Sequence, residues 1–239
     1  MNKFSALSPP HQATVNKTNA NTEDMPGNTL HILLLRHGQT DSNASGVLQG
    51  HQPTPLNRLG IQQAHALANR LHSYRPSIDV LISSDLPRAT QTAGPIAAAC
   101  GLPVVTDNAW RERSFGLLEG KPVGVADTWR AASGEIDPPG SEPITEMHKR
   151  IRDALFGICD EHSDKQMVAV VTHGGPIRAI LKMFNDGRIE PTRGHDKVEV
   201  PLIINCSILQ LTARMYRTGI KWKLDFINDA KHLSDVTND

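Results

Sequence analysis

The run Leu30-His31-Ile32-Leu33-Leu34-Leu35, followed at once by Arg36-His37-Gly38-Gln39-Thr40, decides how the rest of the chain is read. Its first half is short and almost wholly apolar, the pattern of a strand buried on both faces. Its second half turns polar and contains a glycine, so the strand ends there and its exit carries reactive side chains. Asp79-Val80-Leu81-Ile82-Ser83 and Met167 to Val171 repeat the pattern, and Val104-Val105 makes a third, shorter copy.

Helical spacing fills the intervals. Residues 57–74 place Leu59, Ala64, Leu67, Ala68 and Leu71 on one face, with Asn57 as N-cap. Asp85 is expected to cap a helix reaching about Cys100, with Pro87 in its first turn, Gly94-Pro95 as a kink and Gly101-Leu102-Pro103 as its stop. Ser141 opens a helix to about His162 with the stripe Ile144, Met147, Ile151, Leu155 and Ile158. Another helix follows His173-Gly174-Gly175 and reaches about Phe184. Leu202 to Leu211 and Ile220 to Phe226 read as two closing strands in a hairpin. Residues 113–140 and 185–200, with several Gly and Pro, read as loops or a lid over one end. The alternation predicts an α/β fold: a three-layer sandwich with a mainly parallel sheet, helices on both faces and an edge hairpin.

The whole chain is 239 residues, which at ~150 residues per domain is one domain with appendages. Residues 1–29, more than half Ser, Thr, Asn, Gln or Pro, are expected to be a disordered tail. Residues 30–229 are expected to form the domain and 230–239 a C-terminal tail. Twenty-five basic residues balance twenty-five acidic ones, which argues against a field built for nucleic acid or an anionic membrane. No apolar stretch approaches the ~20 residues of a membrane span. Cys100, Cys159 and Cys206 are odd in number and lack metal spacing, so they read as thiols in a reducing compartment. Pro9, Pro10, His11 and Gln12 occupy the place of a signal peptide's apolar core. The expectation is a soluble cytoplasmic protein without a cofactor or metal, for which a homodimer is an admissible state.

In open α/β sheets the ligand binds beyond the carboxyl ends of the strands. Three such ends are chemically loaded here: Arg36 to Thr40 with Asn43 and Gln49-Gly50; Ser83 to Ala93 with Arg88; and Thr172-His173-Gly174-Gly175. Arg111-Glu112-Arg113 lies between the second and third. Should these converge, one pocket holds two arginines, two histidines, an amide and a carboxylate. Two helix N-termini add oriented N–H groups. Such a set suits a dianionic phosphate, because guanidinium forks match phosphate oxygens two at a time.

Arg36-His37-Gly38-Gln39-Thr40 with Asn43 resembles the signature of the histidine phosphatase superfamily, in its phosphoglycerate-mutase-like branch. Ser83 to Ala93, the segment Glu112…Phe115-Gly116…Glu119-Gly120, and Thr172 to Gly175 match the same family in the same order, over about residues 31–227. The resemblance implies two-step phosphoryl transfer to a small phosphorylated substrate. His37 would be the nucleophile and must be neutral, one ring nitrogen held by a backbone carbonyl. Arg36, Arg88 and His173 would hold the phosphoryl oxygens, with a further hydrogen bond from Asn43. Glu112 would protonate the leaving oxygen and then activate water, which needs a carboxyl pKa raised by burial beside phosphate. Glu119, seven residues on, competes for that role. Gln49, Gly50, Arg113 and Gly174 would contact substrate.

Three activities fit this resemblance: a metal-independent phosphomonoesterase, a bisphosphate-primed phosphoglycerate mutase, and a phosphate-binding module without turnover. The family's mutases carry Tyr-Gly and Gln-Gly in the middle segment, whereas this chain has Phe115-Gly116 and Glu119-Gly120. They also carry a longer insertion before the second histidine, and here only 61 positions separate Glu112 from His173 (173 − 112). A mutase must keep water from its phosphohistidine, so a short lid favours hydrolysis. His51-Gln52-Pro53-Thr54-Pro55-Leu56 departs from the family's Asp-x-Pro-Leu stretch, which leaves the leaving group undefined.

Overall fold

A computed structural model of the chain describes residues 27–190 and 197–236. Strand β1 (Thr29–Arg36) is the central element, because it pairs on both sides and feeds both cores. Leu30, Ile32 and Leu34 face one helical layer, while Leu33 and Leu35 face the other. That division is the two-residue period of a strand buried twice. β2 (Val80–Ser83), β3 (Val104–Thr106) and β4 (Met167–Thr172) lie parallel to it. β5 (Ile208–Tyr216) and β6 (Gly219–Asp229) add an antiparallel edge hairpin, giving the order β3-β2-β4-β1-β5-β6.

α2 (Arg58–His72) and α3 (Pro87–Cys100) cover one face with Leu67, Leu71, Ala89, Ala93 and Ile96. α5 (Ile144–Glu161) and α6 (Gly174–Asn185) cover the other with Ile151, Leu155, Ile177 and Ile180. The arrangement is the predicted three-layer sandwich with its edge hairpin. Two short helices, α1 (Asp41–Ala44) and α4 (Gly124–Ser133), lie outside these layers, and neither buries a residue.

Register places the strand exits side by side. Arg36 pairs with Thr172, so His37 and His173 leave adjacent strands at one level, and Ser83 pairs with Val171, which brings Ser84 beside them.

Several expectations are corrected. β5 begins at Ile208, not Leu202: Cys206 takes a φ of 54°, which interrupts an extended path, and Leu202 is 79% exposed. Asp85 does not cap α3, because its carboxylate pairs with Arg111 at 2.5 Å while Ser84 Oγ accepts from the Leu86 N–H. α5 begins at Ile144, not Ser141, and the Asp137 carboxylate accepts its first N–H at 3.0 Å. Residues 113–140 contain α4. The expected tail at 1–29 lies outside the described residues up to 26; Gly27 and Asn28 bond to Met215, and Thr29 already belongs to β1. In the C-terminal segment, Lys231–Leu233 form a 3-10 turn, with Leu233 packed against the α2–α3 core. Residues 191–196 of the 185–200 loop also lie outside the description. Among the described residues, no helix is long and apolar enough to cross a membrane.

Candidate active site

His37 is 3% exposed, one residue past β1. Its Nδ1–H donates to the Gly38 carbonyl at 2.7 Å, which leaves the Nε2 lone pair free. Burial first, then the positive charges of Arg88 and Arg36, hold its pKa well below the ordinary histidine value. The ring is therefore neutral and nucleophilic across the physiological range. Its backbone is pinned from two sides: its N–H donates to Thr172 O at 2.9 Å, and Asn205 Nδ2 donates to its carbonyl at 2.9 Å.

Arg88, 1% exposed in the first turn of α3, donates from Nε to His173 Nδ1 at 3.2 Å. Its two terminal nitrogens donate to Gly50 O at 2.8 Å and Gln52 O at 3.1 Å. Three of five donors are thus used for aim and two remain. Burial pulls the guanidinium down to about 10, so it stays charged at neutral pH. Arg36 donates from Nη1 to the Ile203 carbonyl, while its Nε is buried without a partner among the described residues. A buried orphan donor costs ~1–3 kcal/mol, and an anion in the cavity would relieve it.

His173 is fully buried beside His37, with ring centroids 5.1 Å apart. Because Nδ1 accepts from Arg88, Nε2 carries the proton and donates to Ser84 Oγ at 2.9 Å. Burial, then Arg88 and His37, depress its pKa well below the ordinary value. Both ring nitrogens are engaged, and His173 stands behind the cavity wall as the anchor of Arg88.

Glu112 reaches the cavity from the loop after β3. Its Oε2 accepts from the Gly175 N–H at 2.9 Å and its Oε1 from the Arg113 N–H at 2.9 Å. The α6 N-terminus thus holds the carboxylate across the cavity from His37. Glu119 is occupied elsewhere: its Oε1 accepts from His51 N, Phe115 N and Ser114 Oγ at 3.0–3.2 Å, tying two loops together. Gly50, at φ 51°, lets that carboxylate pass where a Cβ would stand 1.9 Å from it.

A cavity of about 180 Å³ joins Arg36, His37, Asn43, Arg88 and Glu112, and Gln49, Gly50 and Gly174 also line it. Asn43 Oδ1 accepts from Thr40 N, Thr40 Oγ1 and Asn205 Nδ2, which leaves its Nδ2 as the free end. Gln49 Oε1 is buried without a partner among the described residues. Arg113 does not join this set: its buried guanidinium pairs with Asp137 and donates to Glu142 O at 2.8 Å. An acid within reach captured it. Sequence reasoning also missed Ser84 and Asn205. Ser84 lay inside a matched motif and could have been found; Asn205 acts on His37 from 168 residues away and has no local signal. Among the described residues, no group of three or more His, Cys, Asp or Glu is placed to hold a metal ion.

A family model, Histidine phosphatase superfamily (branch 1), matches residues 32–224. Phosphoglycerate mutase-like protein 4 of Arabidopsis thaliana is 37% identical over 217 residues, covering 86% of this chain and 87% of the relative. Among solved structures, the native mycobacterial glucosyl-3-phosphoglycerate phosphatase superposes with a TM-score of 0.68 at 27% identity, covering 84% of this chain and 99% of that one. A phosphoserine phosphatase mutant from Entamoeba histolytica, in complex with phosphoserine, gives 0.66 at 26% identity, covering 85% and 99%.

Proposed function

The chain belongs to the histidine phosphatase superfamily, branch 1, and from that premise we propose that it hydrolyses a small phosphomonoester through a phosphohistidine on His37. The observation that carries the proposal is a neutral, backbone-oriented imidazole beside two guanidinium groups, Arg88 buried and Arg36 half-buried, with a carboxylate fixed in the same cavity.

In the first step His37 Nε2 attacks phosphorus and the bond to the ester oxygen breaks. Glu112, protonated, gives its proton to the departing alkoxide. Arg36, Arg88 and the Asn43 amide hold the three equatorial oxygens as charge spreads over them. His173 serves through Arg88, whose fork it keeps aimed. In the second step the Glu112 carboxylate takes a proton from water, the water oxygen attacks phosphorus and the P–N bond breaks. Inorganic phosphate leaves, His37 returns to its neutral form and Glu112 is again protonated.

The relatives' names include both mutase-like proteins and phosphatases. Water as acceptor is favoured by the shallow cover. From the segment between Glu112 and His173, Phe115 and Val123 line the cavity, and α4, which follows them, buries none of its residues. Leu202 and Val123, both lining the cavity, are exposed.

The test is a panel of phosphomonoesters assayed without added metal. Wild type should release inorganic phosphate, His37→Ala should lose at least about a thousandfold, and acid-labile label should be trapped on His37. Label trapped on another residue, or primer-dependent movement of phosphate within a phosphoglycerate in place of its release, would overturn the proposal.

A further inference from the structure

The carboxylate of Glu112 is aimed by a peptide plane that another residue holds. Its Oε1 accepts from the Arg113 N–H at 2.9 Å. That N–H shares one planar peptide with the Glu112 carbonyl, and in a trans peptide the two point in opposite directions. The Glu112 carbonyl lies 2.8 Å from His51 Nε2. A carbonyl has no proton to give, so Nε2 carries the hydrogen and donates it. His51 therefore fixes one end of the plane whose other end holds the acid.

The two preceding carbonyls are held as well. Trp110 O accepts from Thr172 Oγ1 at 2.7 Å, and Arg111 O accepts from Arg150 Nη1 at 3.1 Å. Those donors stand on β4 and α5. His51 comes instead from the loop that serves the phosphoryl cradle. Arg88 donates to the carbonyls on either side of it, Gly50 O at 2.8 Å and Gln52 O at 3.1 Å. The His51 N–H donates to Glu119 Oε1 at 3.0 Å, which braces the same loop. Residues 50–52 thus touch both the guanidinium that faces the phosphoryl group and the backbone that carries the acid.

Most side-chain hydrogen bonds run to backbone or water, and many of them only fasten a loop. This one differs in where its force goes. Without the His51 donor the Glu112–Arg113 peptide is free to rotate, its N–H swings off Oε1, and the carboxylate is left to the Gly175 N–H. His51 is half-buried and does not line the cavity, so it acts on the reaction only through Glu112.

We infer that His51 is a positioning residue for proton transfer: through the Glu112–Arg113 peptide it keeps the Glu112 carboxyl aimed at the leaving oxygen. The inference rests on the phosphomonoesterase reading and extends it by one residue.

Leaving-group dependence tests it. An alkoxide needs a proton to depart, whereas 4-nitrophenolate, a weak base, leaves without one. kcat/KM covers the steps up to departure of the alcohol, which separates the first proton transfer from the later attack of water. In His51→Phe and His51→Ala, kcat/KM for the alkyl phosphate that wild type hydrolyses fastest should fall about ten- to a hundredfold, with 4-nitrophenyl phosphate held within about twofold. His51→Gln keeps a donor at similar reach and should restore most of the alkyl activity. Glu112→Gln should show the same split, enlarged. An equal fall for both esters, no rescue by glutamine, or undiminished alkyl activity without the donor would overturn the inference. Two readouts need no turnover. Heteronuclear NMR of wild type should place the proton of the neutral His51 ring on Nε2. Crystals of His51→Phe should show the Glu112 carboxylate displaced by about 0.5 Å or more. A proton on Nδ1, or an unmoved carboxylate, would overturn it equally. Wild type that hydrolyses no ester would sink the phosphatase reading, and these two measurements would still judge His51.

Discussion

At the scale of single residues, the pairing of Glu112 with Gly175 shows how a backbone position can set a side chain's place. Oε2 accepts from the Gly175 N–H, and a Cβ at residue 175 would lie 1.9 Å from Oε1. The obstructed atom is the end of a flexible side chain, so the chain can yield at little cost in stability by moving the carboxylate away. Gly175→Ala should therefore keep the wild-type melting temperature within a few degrees while lowering kcat on alkyl phosphates by about a hundredfold or more, the scale of a lost general acid. Parallel melting and steady-state measurements check both halves; a fall in stability with kcat intact would contradict the assignment. The family resemblance favours Glu112 for the acid role over Glu119, which sits in the same matched segment. Their hydrogen bonds separate them: Glu119 binds two loops, and Glu112 faces the cavity.

At the scale of elements, readings that rested on periodicity held, and those that rested on one polar residue were mixed. Asn57 caps α2 as expected, its side chain accepting from Gly60 N at 2.8 Å while its amide donates to Gln39 Oε1 at 2.9 Å. Asn57→Ala should cost about 1 kcal/mol, read as a lower urea midpoint with an unchanged slope. Because Gln39 follows the His37-Gly38 turn, a small rise in KM should accompany it. Asp85 looked as good a cap, but a guanidinium within reach took its carboxylate. Ser141 lost its helix start to Asp137, which caps α5 from seven residues upstream. α4 was missed because its short run sits among the Gly and Pro residues of 113–140, which drew the loop reading, and it buries no residue in the fold.

At the scale of the whole molecule, the buried histidines couple the site to stability. His37 and His173 are neutral in the fold, with pKa values pushed well below the ordinary one by burial and neighbouring positive charge. The unfolded chain takes up those protons near pH 6.5. Below that pH the unfolded state binds more protons, so stability is fully present above about 6.5 and declines as the pH falls. The loss approaches about 1.4 kcal/mol per pH unit for each histidine. Urea midpoints at pH 7.5 and 5.0 should differ accordingly, and a His37→Gln/His173→Gln double variant should show a smaller difference; a flat wild-type profile would contradict it. The sequence by itself determined the layering, because doubly buried strands and one-faced helices are written in hydrophobic period, and it determined which strand ends carry the phosphate-matched residues. Only the tertiary structure decided the register that sets His37 beside His173, the capture of Arg113 by Asp137, and the hold of Asn205 on His37. The reason is range: periodicity is local and survives in a string of letters, whereas a hydrogen bond or ion pair is decided by which partner the folded chain brings within about 3 Å.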